Sequence, residues 1–144
     1  MTRRQGRRRP VSRPDVRQFV GKAEEWLETA EEALANGRFT AATGTAIHAG
    51  INAVDAICGA RLGERSSAEA HNEAVLMLRS IPGIGPDAAN QLSRLLQKKQ
   101  RAEYDPQPIS ASDAQASVNQ AGSLVALARR VAAERLPGIS RPEG

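Results

Sequence analysis

At 144 residues, 40% of them hydrophobic and 3% aromatic, the chain has the length of one domain, and its alanine-dominated apolar set argues against a sheet-built core. The net charge of +4 is unevenly placed: residues 1–17 hold seven arginines and one acid, net +6, and the remainder holds 13 basic and 15 acidic side chains, net −2. One cysteine, Cys58, excludes a disulfide framework and a Cys-rich metal site, and no apolar run approaches the roughly 20 residues that span a bilayer.

The chain opens on TRRQGRRRP. With Arg3, Arg4, Arg7, Arg8 and Arg9 this run suits nucleic acid or another anionic surface, bound by counterion release with little sequence choice. Without a ligand it reads as a flexible solubilising tail over residues 1–14. It has no apolar h-region, so it is not a secretory signal, and a cytoplasmic protein is expected. Pro14 then suits the first turn of a helix. Val16, Phe19, Val20, Ala23, Trp26, Leu27, Ala30, Ala33 and Leu34 recur at three- and four-residue spacing, Glu24, Glu25, Glu28, Glu31 and Glu32 take the other face, and Gly37 ends the element.

A second helix is predicted from Thr40, as N-cap, to Leu62. Its many alanines and glycines (Ala41, Ala42, Gly44, Ala46, Ala49, Gly50, Ala53, Ala56, Gly59, Ala60) imply close contacts on several faces, as in the middle of a bundle. His48, Asn52 and Asp55 stand at i, i+4 and i+7, a polar stripe that reads either as a pocket lining or as a self-satisfied hydrogen-bonded row. Residues 63–68 read as a loop. A third helix over 68–80 carries Val75, Leu76, Leu78 and Ile81 as its apolar set, with His71 and Glu73 near its start as capping chemistry. The two histidines lack the close carboxylate spacing of a zinc site, and neither a metal nor a cofactor is expected.

LRSIPGIGPDAANQL, residues 78–92, has nearly the pattern of a helix-hairpin-helix DNA-binding turn, in which the Gly83 and Gly85 amides would approach a phosphate. Asp87 would repel that phosphate, and the flanking leucines suit the inward stripes of two bundle helices, so the stretch reads mainly as a connection. A fourth helix follows from Pro86 to Tyr104 with Ala89, Leu92, Leu95, Leu96 and Ala102 inward, stopped by Asp105-Pro106. Its end, KKQRAEYD, gathers Lys98, Lys99, Arg101, Glu103 and Tyr104. These are either complements to the negative helix terminus or an anion site around a phenol. A fifth helix, capped by Ser110 or Ser112, runs to Leu136 with Val118, Ala121, Leu124, Val125, Ala128, Val131 and Ala132 inward, and residues 137–144 are a tail. No segment alternates with period two for long enough to argue for a strand. The expected fold is all-α: a single five-helix up-and-down bundle over residues 15–136.

The five-helix order, the text AIHAGINAVDAICGARLG, the ending LLQKKQRAEYDP and the cap-and-helix text SASDAQASVNQAGSLVALARR together resemble the HEPN superfamily, in particular compact actinobacterial HEPN-like proteins, over about residues 15–133. The resemblance implies a helical bundle that commonly dimerises. Many of its members are metal-independent ribonucleases of toxin–antitoxin and defence systems, and others are noncatalytic. The ribonuclease signature is an arginine, a polar residue and, after three more, a histidine. Here Lys99, Gln100 and Tyr104 stand at those places. A phenol with an ordinary pKa near 10 is a poor proton shuttle at neutral pH, and lysine lacks the planar fork that grips phosphate.

The chain is therefore expected to be a noncatalytic or weakly catalytic homodimer that binds RNA, a nucleotide or a partner such as an antitoxin or nucleotidyltransferase. The ligand residues would be Lys98, Lys99, Arg101, Glu103, Tyr104 and Asp55. Two alternatives stand beside it: a metal-independent ribonuclease using Lys99, Arg101, Tyr104 and His48, and a DNA binder using the arginine run and the Gly83/Gly85 turn.

Overall fold

A computed structural model describes residues 8–67 and 71–134. Seven elements follow in chain order: β1 (Arg8–Pro10), α1 (Arg13–Ala35), α2 (Phe39–Leu62), β2 (Glu64–Ser66), α3 (His71–Arg79), α4 (Gly85–Tyr104) and α5 (Ala111–Ala133). The five helices form an all-α bundle, as the periodicity predicts. Among the described residues no helix is long and apolar enough to cross a membrane.

The helix ends carry local signals. Ser12 caps α1: its Oγ accepts from the Asp15 amide while the Asp15 carboxylate accepts from the Ser12 amide, so two orphan donors are satisfied reciprocally. Ser110 caps α5 by accepting from the Asp113 amide. Thr40 does not cap α2. That helix begins at Phe39 behind Arg38, with no side-chain cap bond.

Helix α2 is the centre. It packs most extensively on α1 and α5 and also touches α3, α4 and β2. Ala42, Ala46, Ile47, Ala49, Ala53, Val54, Ala56, Ile57 and Cys58 are all buried, which is why its sequence shows no single apolar stripe. Leu92 and Leu95 from α4 and Leu124 and Val125 from α5 close on it, each such burial contributing about 1.5–3 kcal/mol. On α3 the inward residues are Ala74, Met77 and Leu78, followed by Ile81. Leu76, expected inward, is exposed, because the nine-residue helix turns only a narrow face to the bundle. Trp26, also expected inward, stays 38% exposed, since Ala23, Leu27 and Ala30 occupy the buried stripe of α1.

One correction concerns the N-terminal segment. The predicted tail boundary at residue 14 is too late, because β1 pairs antiparallel with β2 in the register Arg8↔Ser66, Arg9↔Arg65 and Pro10↔Glu64. Strands of three residues are too short to show alternation in a sequence. The segment is held by a definite set of contacts. The Arg8 guanidinium donates from Nε to Glu73 at 2.7 Å and from Nη1 to Glu64 at 3.0 Å. The Val11 amide donates to the Gly63 carbonyl at 2.9 Å, and the Val11 side chain lies on Gly59, where any Cβ would come within 2.5 Å of it. Glu73 is thus the buried half of an ion pair rather than a helix cap. Arg3, Arg4 and Arg7, and the predicted C-terminal tail over 137–144, lie outside the described residues.

Candidate functional site

The polar stripe of α2 is a pocket lining. His48, Ile51, Asn52 and Asp55 form one wall of a cleft of about 340 Å³; β2 and the residue after it add Arg65, Ser66 and Ser67; α3 adds His71; and α4 adds Lys99 and Glu103. The helical period explains the selection from KKQRAEYD. Successive residues point about 100° apart, whereas residues four apart share a face. Lys99 and Glu103 therefore turn together into the cleft, with 4.0 Å between Nζ and Oε1. Lys98 and Arg101 turn to the neighbouring face and meet Asp113 at the start of α5, at 3.6 Å and 3.0 Å. These two cations, Lys98 foremost, hold the Asp113 carboxyl below its ordinary range and tie α4 to α5. Tyr104, the last residue of α4, is 74% exposed and does not line the cleft.

The electrostatics inside the cleft are unusual. Asp55 is 9% exposed, and burial pushes its carboxyl up to about 7, with Arg65 pulling it back. Among the described residues its carboxyl makes no hydrogen bond, so it faces the cleft as an unpaired, half-titrated acid at neutral pH. His71 is shifted down by burial and then by Lys99 and His48, against the opposite pull of Glu103. It is therefore a neutral imidazole at pH 7. Asn52 is tied to the helix, its Nδ2 donating to the His48 carbonyl at 3.0 Å. Cys58, one turn beyond Asp55, is buried and its thiol is pushed up to about 12, which makes it inert as a nucleophile.

Arg65 is held in place. Its Nη1 donates to the Ser66 carbonyl at 3.2 Å, and its guanidinium sits 5.3 Å from the Phe19 ring centroid. The register places Arg9 directly opposite it, so two arginines share one face of the ladder. Like charges so placed destabilise one another until an anion joins them. Arg65 has no sequence signal of its own, since it sits in a stretch that reads as loop and only the pairing with β1 orients it. His71 is missed because its neighbour Glu73 suggests capping.

Elsewhere the chemistry is thinner. A second recess of about 330 Å³ lies near the Gly63 end of α2, among Val11, Val16, Gly59 and Val131. It has no imidazole, and its Arg61 is bound to Glu134 at 2.8 Å. At the 78–92 turn Gly83 has φ +82°, and the Gly85 amide donates to the Ile81 carbonyl at 3.1 Å, so that amide is already occupied. Among the described residues no three His, Cys, Asp or Glu side chains gather as a metal ion requires. No protein-family model matches the chain, and no curated protein matches it.

Proposed function

We propose that the protein is a HEPN-like helical module that binds a phosphate-bearing ligand, RNA or a nucleotide, in the α2–α4 cleft, in a toxin–antitoxin or stress setting. The observation that carries this reading is the convergence of Arg65, Lys99, His48 and His71 on one recess whose buried acid, Asp55, is half-neutral at pH 7. A phosphate there gains the cations of Arg65 and Lys99 and an imidazole donor in His71, and competes with Glu103 for Lys99. The DNA-binding alternative has less to support it, since Arg8 is engaged by Glu64 and Glu73 and the Gly85 amide is bonded within its own turn.

One feature favours a second reading, RNA cleavage without a metal: a neutral imidazole and a protonatable carboxyl share the cleft. His71 would take the 2′-hydroxyl proton as the 2′-oxygen attacks phosphorus. Protonated Asp55 would deliver its proton to the departing 5′-oxygen as the P–O5′ bond breaks, leaving a 2′,3′-cyclic phosphate. Lys99 and Arg65 would offset the charge that builds on the phosphoryl oxygens.

One experiment addresses both readings. Binding of an RNA oligomer is expected to weaken about tenfold in Lys99→Ala and in Arg65→Ala, the loss of one charge-assisted hydrogen bond each. It is expected to stay within about twofold in Arg101→Ala and Tyr104→Phe, neither of which reaches the cleft. Equal losses in all four variants would move the site back to the end of α4. If the cleft is also catalytic, the same RNA is cut in the presence of EDTA and His71→Ala abolishes the cut; intact RNA leaves the binding reading alone.

A further inference from the structure

Trp26 is the only tryptophan of the chain, and α1 leaves it on the surface rather than in the core. Its indole stacks on the imidazole of His48, with ring centroids 4.8 Å apart and planes 28° from parallel. His48 in turn lines the cleft, so the two rings form one aromatic surface at its rim. From His48 the α2 stripe runs about 10 Å to Asp55 at seven rises of 1.5 Å, the length scale of a nucleoside monophosphate. Charge divides the same way. Glu25, Glu28 and Glu32 border Trp26 on α1 and repel phosphate from that end, whereas Lys99 and Arg65 attract it at the other.

An aromatic rim joined to a cationic recess suits a ligand with a flat ring at one end and a phosphate at the other. We propose that Trp26 and His48 form a base-stacking platform, and that the ligand is a nucleoside phosphate unit, free or within a single strand, whose base lies on this platform while Lys99 and Arg65 hold its phosphate. The inference rests on the phosphate-binding reading of the cleft and adds to it the identity of the ligand's other half. Stacking is tolerant of base identity, because every base offers a π-face, so the platform selects for the presence of a base rather than for one base.

The test compares ribose 5-phosphate, AMP and a short oligoadenylate by calorimetry on the full chain. AMP is expected to bind about tenfold more tightly than ribose 5-phosphate, a typical stacking contribution. That gap should close in Trp26→Leu and persist in Trp26→Phe, while ribose 5-phosphate affinity stays the same in all three proteins. In the wild type, Trp26 fluorescence should respond to AMP and not to ribose 5-phosphate, a readout that needs no variant. Oligoadenylate binding more tightly than AMP identifies a strand as the ligand, and equal binding identifies a free nucleotide. Equal affinity for AMP and ribose 5-phosphate overturns the platform and leaves the cleft reading standing; binding of none of the three overturns both.

Discussion

Asp55→Asn is expected to stabilise the protein by on the order of 4 kcal/mol at pH 8 and by much less at pH 5. The carboxyl titrates from 3.8 in an unstructured chain to about 7 in the fold, because burial disfavours its charged form. Each pKa unit corresponds to about 1.4 kcal/mol. The sign follows from proton counting. Between roughly pH 4 and pH 7 the unfolded chain has released the Asp55 proton and the folded chain has kept it. Stability from this group is therefore lost as pH rises through that window and is constant above it. Asparagine keeps the shape and removes the titration. Urea unfolding at the two pH values, with unchanged m, reads the effect directly. An equal gain at both would show that the Asp55 carboxyl titrates normally in the fold. An acid held at such expense in a cleft of cations and imidazoles is what a functional site looks like energetically.

Gly85→Ala is expected to destabilise by about 3 kcal/mol or more, the upper range for overpacking, which lowers the melting temperature by roughly 10 °C. A Cβ at Gly85 would lie 1.9 Å from the Leu78 carbonyl oxygen and 3.2 Å from the Ile81 Cβ. The first of these is backbone, which cannot rotate away. The last turn of α3 and the first of α4 would have to separate, pulling Leu78, Ile81, Ala88 and Ala89 from the core. Gly44→Ala is the control. Nothing lies within 4 Å of a Cβ there, and within α2 alanine should add roughly 0.5–1 kcal/mol of stability. Thermal melts of both variants check the pair, and similar melting temperatures would contradict the packing described here. The helix-hairpin-helix pattern in this stretch thus has a structural origin at Gly85, a close helix-to-helix approach.

The five helices were legible because their evidence is local: apolar spacing, Pro14 in the first turn of α1, the Ser110 cap of α5, and Asp-Pro or glycine stops. The polar stripe His48-Asn52-Asp55 was legible for the same reason, although its role as a pocket wall depends on what faces it. The KKQRAEYD cluster shows where local reading fails. Five functional side chains sit side by side in the sequence, yet a helix distributes them over several faces, and only Lys99 and Glu103 reach the cleft. Arg65 and His71 belong to elements of three and nine residues, fixed by the long-range pairing of β1 with β2 and of Arg8 with Glu73. No window of sequence contains both partners of those contacts. The same pairing places Arg8 and Arg9 in a strand beside β2.

The central claim, a phosphate held between α2 and α4, is tested most directly by histidine NMR. His48 and His71 are the only histidines, and both line the cleft, so their imidazole signals report on that place alone. A bound phosphate favours imidazolium over imidazole. Saturation with AMP is predicted to raise the apparent pKa of His71 and to shift the ring signals of His48 in the wild type, and to do neither in a Lys99→Ala/Arg65→Ala protein at the same AMP concentration. A wild-type His71 titration curve and His48 signals that do not move with AMP would contradict the assignment of the cleft.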